Sequence, residues 1–416
     1  MANRPADPRG VVVTGLGITS AVGRGKDAFL GSLLAGDHGF GPLRRPGRSL
    51  PDDGTGTVPA PFQGAEMAEP VMPAHIPART VRAASLSARA ALATLDEAWR
   101  EAGLDEADPF RTGLVIGGSN IQQREQVLLH ARHAEHPGFL RPTYGMAFMD
   151  TDLCGFCTEQ YPIRGFAHTL GGASASGLLA VLQAVRAVRS GQVDVCVAVG
   201  ALMDLSYWEL TAFRSMGAMG SHRWADDPAA ACRPFDRGHD GFIYGEACAA
   251  VVVEREGLRR HPAPYARVLG CGTAIDGNRN PNPSEEGEAA ALESALREAG
   301  LPASAVDYVN PHGTGSPTGD GIELRALRRA GLDHARINAT KSITGHGLTA
   351  AGAVEVVATL LQLREQRLHP TRNLADPIDD TFPWVGEKAE PCRLRTAVSL
   401  SMGFGGISSA ICLEAC

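Results

Sequence analysis

The chain has 416 residues, of which 44% are hydrophobic and 20% charged, and its formal net charge at pH 7 is −7. It can bury a large core and exceeds the usual size of a single domain. The negative charge and the lack of a Lys/Arg block argue against nucleic acid or an anionic membrane as a partner. We predict no membrane span, because no 18-residue apolar run occurs, and a cytoplasmic protein, because residues 1–10 do not resemble a signal peptide.

The chain begins with a predicted buried strand, residues 11–20, that feeds a loop at Gly15 and Gly17. Ser20 stands where a dinucleotide-binding fingerprint has its third glycine, and no acidic residue completes that pattern. We therefore predict no nucleotide cofactor. Residues 40–75 are rich in Pro, Gly and Asp and predict an irregular segment.

Strands and helices alternate along the rest of the chain. Buried strands are predicted at 112–120, 247–256, 264–277, 306–315 and 396–406, the last being the final strand, and helices at 82–103, 285–300 and 350–366. This alternation predicts an α/β protein with parallel sheets between helices. The order of elements in residues 11–255 recurs in 264–416, which favours two similar halves, 1–258 and 259–416, packed together.

Two clusters of metal-ligand residue types are interpreted as structural. Cys154 and Cys157 form an isolated CxxC pair, and the odd total of nine cysteines predicts reduced thiols. His130, His133 and His136 recur every third residue, without a carboxylate or cysteine placed to complete a site. We interpret these histidines as a solvated helix face, and we predict no bound metal.

A crowded turn of small residues, 171–177, separates a strand from a helix that we expect to begin at Leu178. Such a turn holds one side chain at a helix N-terminus, and Ser174 is the residue presented there. Two other loops place histidines among glycines, namely His312 and, shortly after Lys341, His346. Loops that follow buried strands are where α/β proteins carry their sites.

Two chemistries remain open from these residues alone. A Ser-His-Asp hydrolase could use Asp320 as its orienting acid, although no GxSxG elbow surrounds Ser174. Alternatively, two neutral histidines that donate N–H groups to one oxygen would form an oxyanion hole, which an enzyme needs where an enolate develops.

Five motifs resemble those of the β-ketoacyl synthases, the condensing enzymes of fatty-acid and polyketide synthesis, in the same order and over essentially the full length. They are VVVTGLGITSAVG (11–23), RPFDRGHDGFIYGEA (233–247), HGTGSPTGD (312–320), KSITGHGLTAAGAVE (341–355) and GFGG (403–406). The resemblance implies a thiolase-like α/β fold of two related halves in five α-β-α-β-α layers, and a homodimer. It also implies a substrate carried on the phosphopantetheine of an acyl carrier protein, with no other cofactor.

By position, the resemblance assigns roles to several residues of this chain. His312 and His346 correspond to the catalytic pair, Lys341 to the residue that supports them, Phe404 and Gly405 to a gating loop, and Thr314 and Ser316 to the hydroxyls that bind pantetheine amides.

The chain departs from the family at its nucleophile. The family normally reads T-A-C-A-S-G, whereas residues 172–177 read G-A-S-A-S-G, so Ser174 replaces the cysteine. A thiol, with an ordinary pKa near 8.5, can ionise at a helix N-terminus. The helix dipole contributes only about 0.3–1 kcal/mol, which cannot ionise an alcohol. Because both histidines are committed as donors, we predict slow acyl transfer to Ser174 and slow condensation.

The remaining groups suit decarboxylation of a malonyl thioester, whose enolate would lie between the two histidines before protonation to an acetyl thioester. Relatives with the same Cys-to-Ser change are decarboxylases of polyketide β-branching cassettes, which supply acetyl-carrier protein to a hydroxymethylglutaryl-synthase-like partner. Residues 200–220 also resemble that subgroup. We therefore predict a malonyl-acyl carrier protein decarboxylase.

Two alternatives stay open. The first is a serine-using condensing enzyme or acyltransferase, in which Ser174 carries an ester. The second is a non-catalytic chain-length partner of a ketosynthase heterodimer. Such partners commonly lack the histidine pair that this chain keeps.

Overall fold

A computed structural model describes residues 10–51, 60–220, 223–258 and 263–416. Residues 1–9, on which the prediction about a signal peptide rests, lie outside the described part. Residue 259, the predicted start of the second half, also lies outside it. No helix among the described residues is long and apolar enough to cross a membrane.

The strands of the described residues form one large sheet and two small ones. In chain order they are β1 (Val11–Ser20), β2 (Gly23–Arg24), β3 (Phe40–Pro42), β4 (Gln63–Ala65), β5 (Thr112–Gly117), β6 (Phe166–Leu170), β7 (Val195–Gly200), β8 (Tyr244–Gly245), β9 (Ala247–Arg255), β10 (Ala266–Ile275), β11 (Tyr308–Asn310), β12 (Arg336–Ile337), β13 (Arg367–Leu368), β14 (Glu390–Pro391), β15 (Thr396–Gly403) and β16 (Ile407–Ala415).

The helices lie mainly between these strands in the chain. They are α1 (Lys26–Ala35), α2 (Ala78–Ala83), α3 (Leu86–Ala102), α4 (Gln123–His133), α5 (Tyr144–Ala147), α6 (Thr151–Gln160), α7 (Ser176–Arg189), α8 (Tyr207–Ser215), α9 (Pro228–Ala231), α10 (Glu285–Ala299), α11 (Gly319–Arg329), α12 (Lys341–Thr344) and α13 (Ala351–Glu365).

The large sheet consists of two sets of five strands, with β2 added at β1. The sets join where β1 and β10 pair in antiparallel fashion. Outward from this junction, one set has the order β1-β9-β7-β5-β6 and the other β10-β16-β15-β11-β12. If the five strands of each set are numbered in the order in which they occur along the chain, both sets have the same spatial order: first, fifth, fourth, second, third. The two halves of the chain therefore share one strand topology.

Helices cover both sets and also separate them. The helices α7 and α13 pack against each other and contact strands of both sets. On the outer faces, α3 packs on β1 and β9, while α10 packs on β10 and β16. The result is the five-layered α-β-α-β-α arrangement that the resemblance to the β-ketoacyl synthases implies.

The glycines of β1 serve helix packing. All ten residues of β1 are strand, and none belongs to the loop predicted at Gly15 and Gly17. A Cβ atom at Gly15 would lie 2.5 Å from the carbonyl oxygen of Ala98 on α3, and one at Gly17 would lie 2.0 Å from that of Thr94. Both distances are too short for a real Cβ atom, so only glycine lets α3 approach β1 this closely.

Three other expectations about the fold are wrong in detail. The sheet is mixed, because β1, β9, β10 and β16 pair antiparallel, whereas β5 pairs in parallel with β6 and β7. The strand predicted at 396–406 is not the last one, because β16 follows it and lies near the centre of the sheet. The polar serines of β16 concealed this strand in the sequence. The described part of 40–75 contains the paired strands β3 and β4, while residues 52–59 lie outside the description.

Candidate active site

Ser174 lies in a strained turn between β6 and α7. The turn is one 3-10 turn, Ala173–Ala175, and Ala173 has a φ of 47°, which residues other than glycine rarely adopt. The hydroxyl of Ser176 accepts the N–H of Gly172 at 2.9 Å and donates to the carbonyl of Ala173 at 2.7 Å. These bonds hold the turn in place, and α7 begins at Ser176, two residues earlier than predicted.

Two glycines bring this turn to the loop that precedes α13. A Cβ atom at Gly177 would lie 2.8 Å from the backbone nitrogen of Ala353, and one at Gly352 would lie 2.7 Å from that of Leu178. The first turns of α7 and α13 can therefore touch only because both positions are glycine. Their contact places Ser174 beside the loop that carries His346.

His346 donates a hydrogen bond to Ser174. Its Nε2 lies 3.0 Å from Ser174 Oγ, and its Nδ1 accepts the backbone N–H of Leu348 at 3.3 Å. A neutral imidazole carries one proton, and Nδ1 is an acceptor here, so the proton is on Nε2. This tautomer cannot remove the proton of the Ser174 hydroxyl.

A buried ion pair fixes the tautomer of His312. Lys341 Nζ lies 3.3 Å from His312 Nδ1 and also contacts the His312 carbonyl oxygen and Glu355 Oε1. An ammonium group only donates, so His312 Nδ1 accepts and its Nε2 keeps the proton. The side chains of Lys341 and Glu355 are both 2% exposed. Burial raises the pKa of Glu355 and the Lys341 ammonium partly opposes that rise, so the pKa lies at about 7.

Both histidine rings are neutral and lie next to one another, edge to face. Burial lowers the pKa of His312 and of His346 well below 6.5, and the ammonium of Lys341 lowers both further. The ring centroids are 5.4 Å apart, with an angle of 85° between the planes. Two neutral N–H donors in one cavity can stabilise an oxygen that becomes negatively charged.

Asp320 does not orient either of these histidines. Its carboxylate accepts the backbone N–H groups of Phe235, at 2.6 Å, and Gly315, at 3.0 Å, and it contacts His239 Nδ1 at 3.1 Å. A Ser-His-Asp triad requires the acid to contact the histidine that serves the serine. The hydrolase interpretation with Asp320 is therefore wrong.

The four residues Ser174, His312, His346 and Lys341 are brought together as the sequence suggested. The first three line a cavity of about 280 Å³, while Lys341 lies behind His312. Thr314, Ser316 and Phe404, which is 39% exposed, also line the cavity. Gly405 has a φ of 92° and, unlike Gly406, is not among the lining residues.

Sequence reasoning missed two buried carboxyl groups that hold the His312 loop. Glu323 accepts the backbone N–H of His312 at 2.5 Å and that of Gly313 at 2.8 Å. Glu355 pairs with Lys341. A signal for Glu355 was available, because it is an acidic residue within the apolar stretch of α13, where an unpaired charge would be unfavourable.

The other clusters singled out in the sequence lie elsewhere. His130 and His136 are exposed, and His130 Nε2 contacts the hydroxyl of Tyr144 at 2.8 Å. Cys154 and Cys157 are free, buried thiols on α6. Within the described part of the chain, no group of three or more His, Cys, Asp or Glu side chains could hold a metal ion.

Two sequence families match this chain in succession. Residues 8–257 match the N-terminal domain of β-ketoacyl synthases, and residues 265–375 match the C-terminal domain. The chain belongs to the β-ketoacyl synthase family.

Individual relatives lie within this family. PksF of Bacillus subtilis (strain 168), named polyketide biosynthesis malonyl-ACP decarboxylase, is 54% identical over 406 residues, which cover 97% of this chain and 96% of PksF. A 3-oxoacyl-(acyl-carrier-protein) synthase 2 of Coxiella burnetii is 30% identical over 98% of this chain and 99% of its own.

Solved ketosynthases share the fold over their whole length. A β-ketoacyl synthase from Burkholderia phymatum STM815 superposes with a TM-score of 0.86 at 26% identity, covering 98% of this chain and 99% of that chain. A type II polyketide ketosynthase in complex with its acyl carrier protein superposes with a TM-score of 0.83 at 25% identity, covering 99% and 100%.

Proposed function

We propose that this protein decarboxylates malonyl-acyl carrier protein to acetyl-acyl carrier protein in polyketide synthesis. The observation that carries the proposal is the pair of neutral N–H donors on His312 and His346 beside a serine that has no base. The relative PksF, with 54% identity, bears the name of this activity.

The reaction follows from where the donors lie. With the thioester carbonyl oxygen between the Nε2–H groups of His312 and His346, the bond between the malonyl carboxylate and C2 breaks. Its electron pair forms an enolate, the negative charge moves to the carbonyl oxygen, and CO2 leaves. Water then supplies a proton to C2, which gives the acetyl thioester. No covalent bond to Ser174 forms at any step.

The proposal extends to the partners of the reaction. An acyl carrier protein presents the malonyl group on its phosphopantetheine arm, with Thr314, Ser316 and the loop of Phe404 and Gly405 at the arm. The acetyl product passes to a hydroxymethylglutaryl-synthase-like enzyme in a β-branching pathway. We further propose that the protein is a homodimer and that it is cytoplasmic. Each subunit would consist of two halves, 1–258 and 259–416. The exposed outer strand β6 supports the dimer, because it pairs only with β5 among the described residues.

Purified protein is expected to convert malonyl-carrier protein to acetyl-carrier protein without metal or nucleotide. Mass spectrometry of the carrier protein follows the loss of CO2 directly. A β-ketoacyl synthase with the usual cysteine serves as the control for an active substrate. If that control consumes malonyl-carrier protein while this protein leaves it unchanged, the proposed function is wrong, and the non-catalytic alternative gains support.

A further inference from the structure

Glu288, in the first turn of α10, is one of the residues that line the cavity. Its side chain is 1% exposed, and within the described chain neither carboxyl oxygen has a hydrogen-bond partner. Buried polar groups in proteins are nearly always hydrogen-bonded, so a group at a cavity without an internal partner takes its partner from the cavity, which is either water or a bound molecule. The proposed mechanism makes no use of this residue.

The surroundings of Glu288 favour its neutral form. Burial, and after it the nearby carboxyl of Glu323, raise the pKa of Glu288 to about 10. Glu285, on α10 beside Glu288, and Asp320, on α11, also raise this pKa, whereas the charge of Arg325 lowers it. Arg325, however, pairs with Glu285 at 2.9 Å. At neutral pH, Glu288 therefore offers one O–H donor and one carbonyl acceptor.

The same surroundings indicate which chemical group Glu288 recognises. Asp276, Asp320 and Glu323 line the same cavity as Glu288, so this acidic lining disfavours a negatively charged malonyl carboxylate. A neutral group with both a donor and an acceptor fits, and a secondary amide is such a group. The hydroxyls of Thr314 and Ser316 each accept one backbone N–H group, from Ser316 at 3.2 Å and Gly319 at 3.1 Å, and each keeps an O–H that can donate to an amide carbonyl. Glu288 adds an acceptor for an amide N–H that is not engaged with any group of the described chain.

We propose that Glu288, as a neutral carboxylic acid, binds an amide of the substrate's phosphopantetheine arm through two hydrogen bonds. Its O–H donates to the amide carbonyl, and its C=O accepts the amide N–H. Glu288 is then a positioning residue that selects pantetheine thioesters over thioesters that lack amides. The inference rests on the proposed function, because that function brings the phosphopantetheine arm into this cavity.

The test measures binding without turnover. S-acetylpantetheine, which contains the amides but cannot lose CO2, is titrated against the whole protein by ligand-observed NMR, with S-ethyl thioacetate as the probe without an amide. Glu288→Gln keeps a neutral donor and acceptor and is expected to bind S-acetylpantetheine like the parent. Glu288→Leu is expected to weaken binding about tenfold or more, since two hydrogen bonds are lost. Neither variant should change binding of S-ethyl thioacetate.

A pH series of melting temperatures shows whether Glu288 is neutral in the folded protein. The pKa of the buried carboxyl lies above the ordinary value of 4.5, so the folded state keeps its proton while the unfolded state loses it. Stability from this group is full below pH 4.5 and is lost as the pH rises toward 10. The Tm of the parent should therefore fall relative to Glu288→Gln between pH 5 and 8. Glu286→Gln, at an exposed position on the same turn, is the matched control and should show no such trend.

The outcomes separate this inference from the proposed function. Equal binding of S-acetylpantetheine by the parent and Glu288→Leu would overturn the inference. So would a Glu288→Gln variant that loses decarboxylation while binding normally, because Glu288 would then deliver a proton. If the binding difference is found but malonyl-carrier protein is not consumed, the inference stands and the proposed function fails.

Discussion

Replacement of His346 with alanine is expected to lower the rate of malonyl-carrier protein decarboxylation about a hundred- to a thousandfold. The Nε2–H of His346 is a preorganised donor in a buried cavity, and loss of one such donor to a developing oxyanion has this size of effect. His312→Ala should have a similar effect. Single-turnover rates at saturating malonyl-carrier protein would measure both.

The double variant distinguishes a shared oxygen from two separate roles. If both histidines donate to one oxygen, the combined loss should be smaller than the product of the single losses. His334→Ala is the matched control, because His334 is an exposed histidine that does not line the cavity. Near-normal turnover in either single variant would remove that histidine from the mechanism.

Replacement of Lys341 with methionine is expected to lower both stability and activity. Glu355 would lose its cation while it stays buried, and breaking a buried ion pair in this way costs about 3–5 kcal/mol of unfolding free energy. His312 Nδ1 would lose its charged donor, so the tautomer with the proton on Nε2 would no longer be fixed. Loss of such a bond corresponds to a rate decrease of about ten- to a hundredfold.

A second substitution separates these two effects. Lys341→Met with Glu355→Gln removes both buried charges, so the melting temperature should recover substantially while decarboxylation stays slow. Lys388→Met, at an exposed position, is the control for loss of a lysine. Recovery of full decarboxylation in the double variant would mean that Lys341 acts on stability alone and does not position His312.

Features that depend on local pattern could be predicted from the sequence. The apolar periodicity and terminal glycines of α3 and α10 placed both helices to within a few residues, because Gly103 and Gly300 adopt the left-handed conformation that ends a helix. The glycine-rich loops likewise predicted that Ser174 and the two histidines form a site.

Features that depend on contacts between distant residues could not be predicted. The direction of the Ser174–His346 hydrogen bond is set by the backbone N–H of Leu348, which is visible only once the loop is folded. Asp320 lies eight positions after His312, yet it bonds to His239 and to backbone groups. The burial of Glu288 follows from the packing of α10 on the second set of strands, which the predicted helix at 285–300 did not reveal.

Ser174→Ala tests the claim that Ser174 forms no covalent bond. If the hydroxyl contributes only a hydrogen bond to His346, this variant should keep decarboxylation to within about tenfold of the parent. Ser174→Cys places a thiol at the same helix N-terminus and should become acylated, so it serves as the positive control for detecting an adduct.

The most direct measurement is the intact mass of the parent protein and of these two variants during turnover of malonyl-carrier protein. The expected result is an unmodified parent, an active and unmodified Ser174→Ala variant, and an acyl adduct on Ser174→Cys. An acetyl or malonyl adduct on the parent, together with loss of turnover in Ser174→Ala, would contradict the account and make Ser174 a covalent nucleophile.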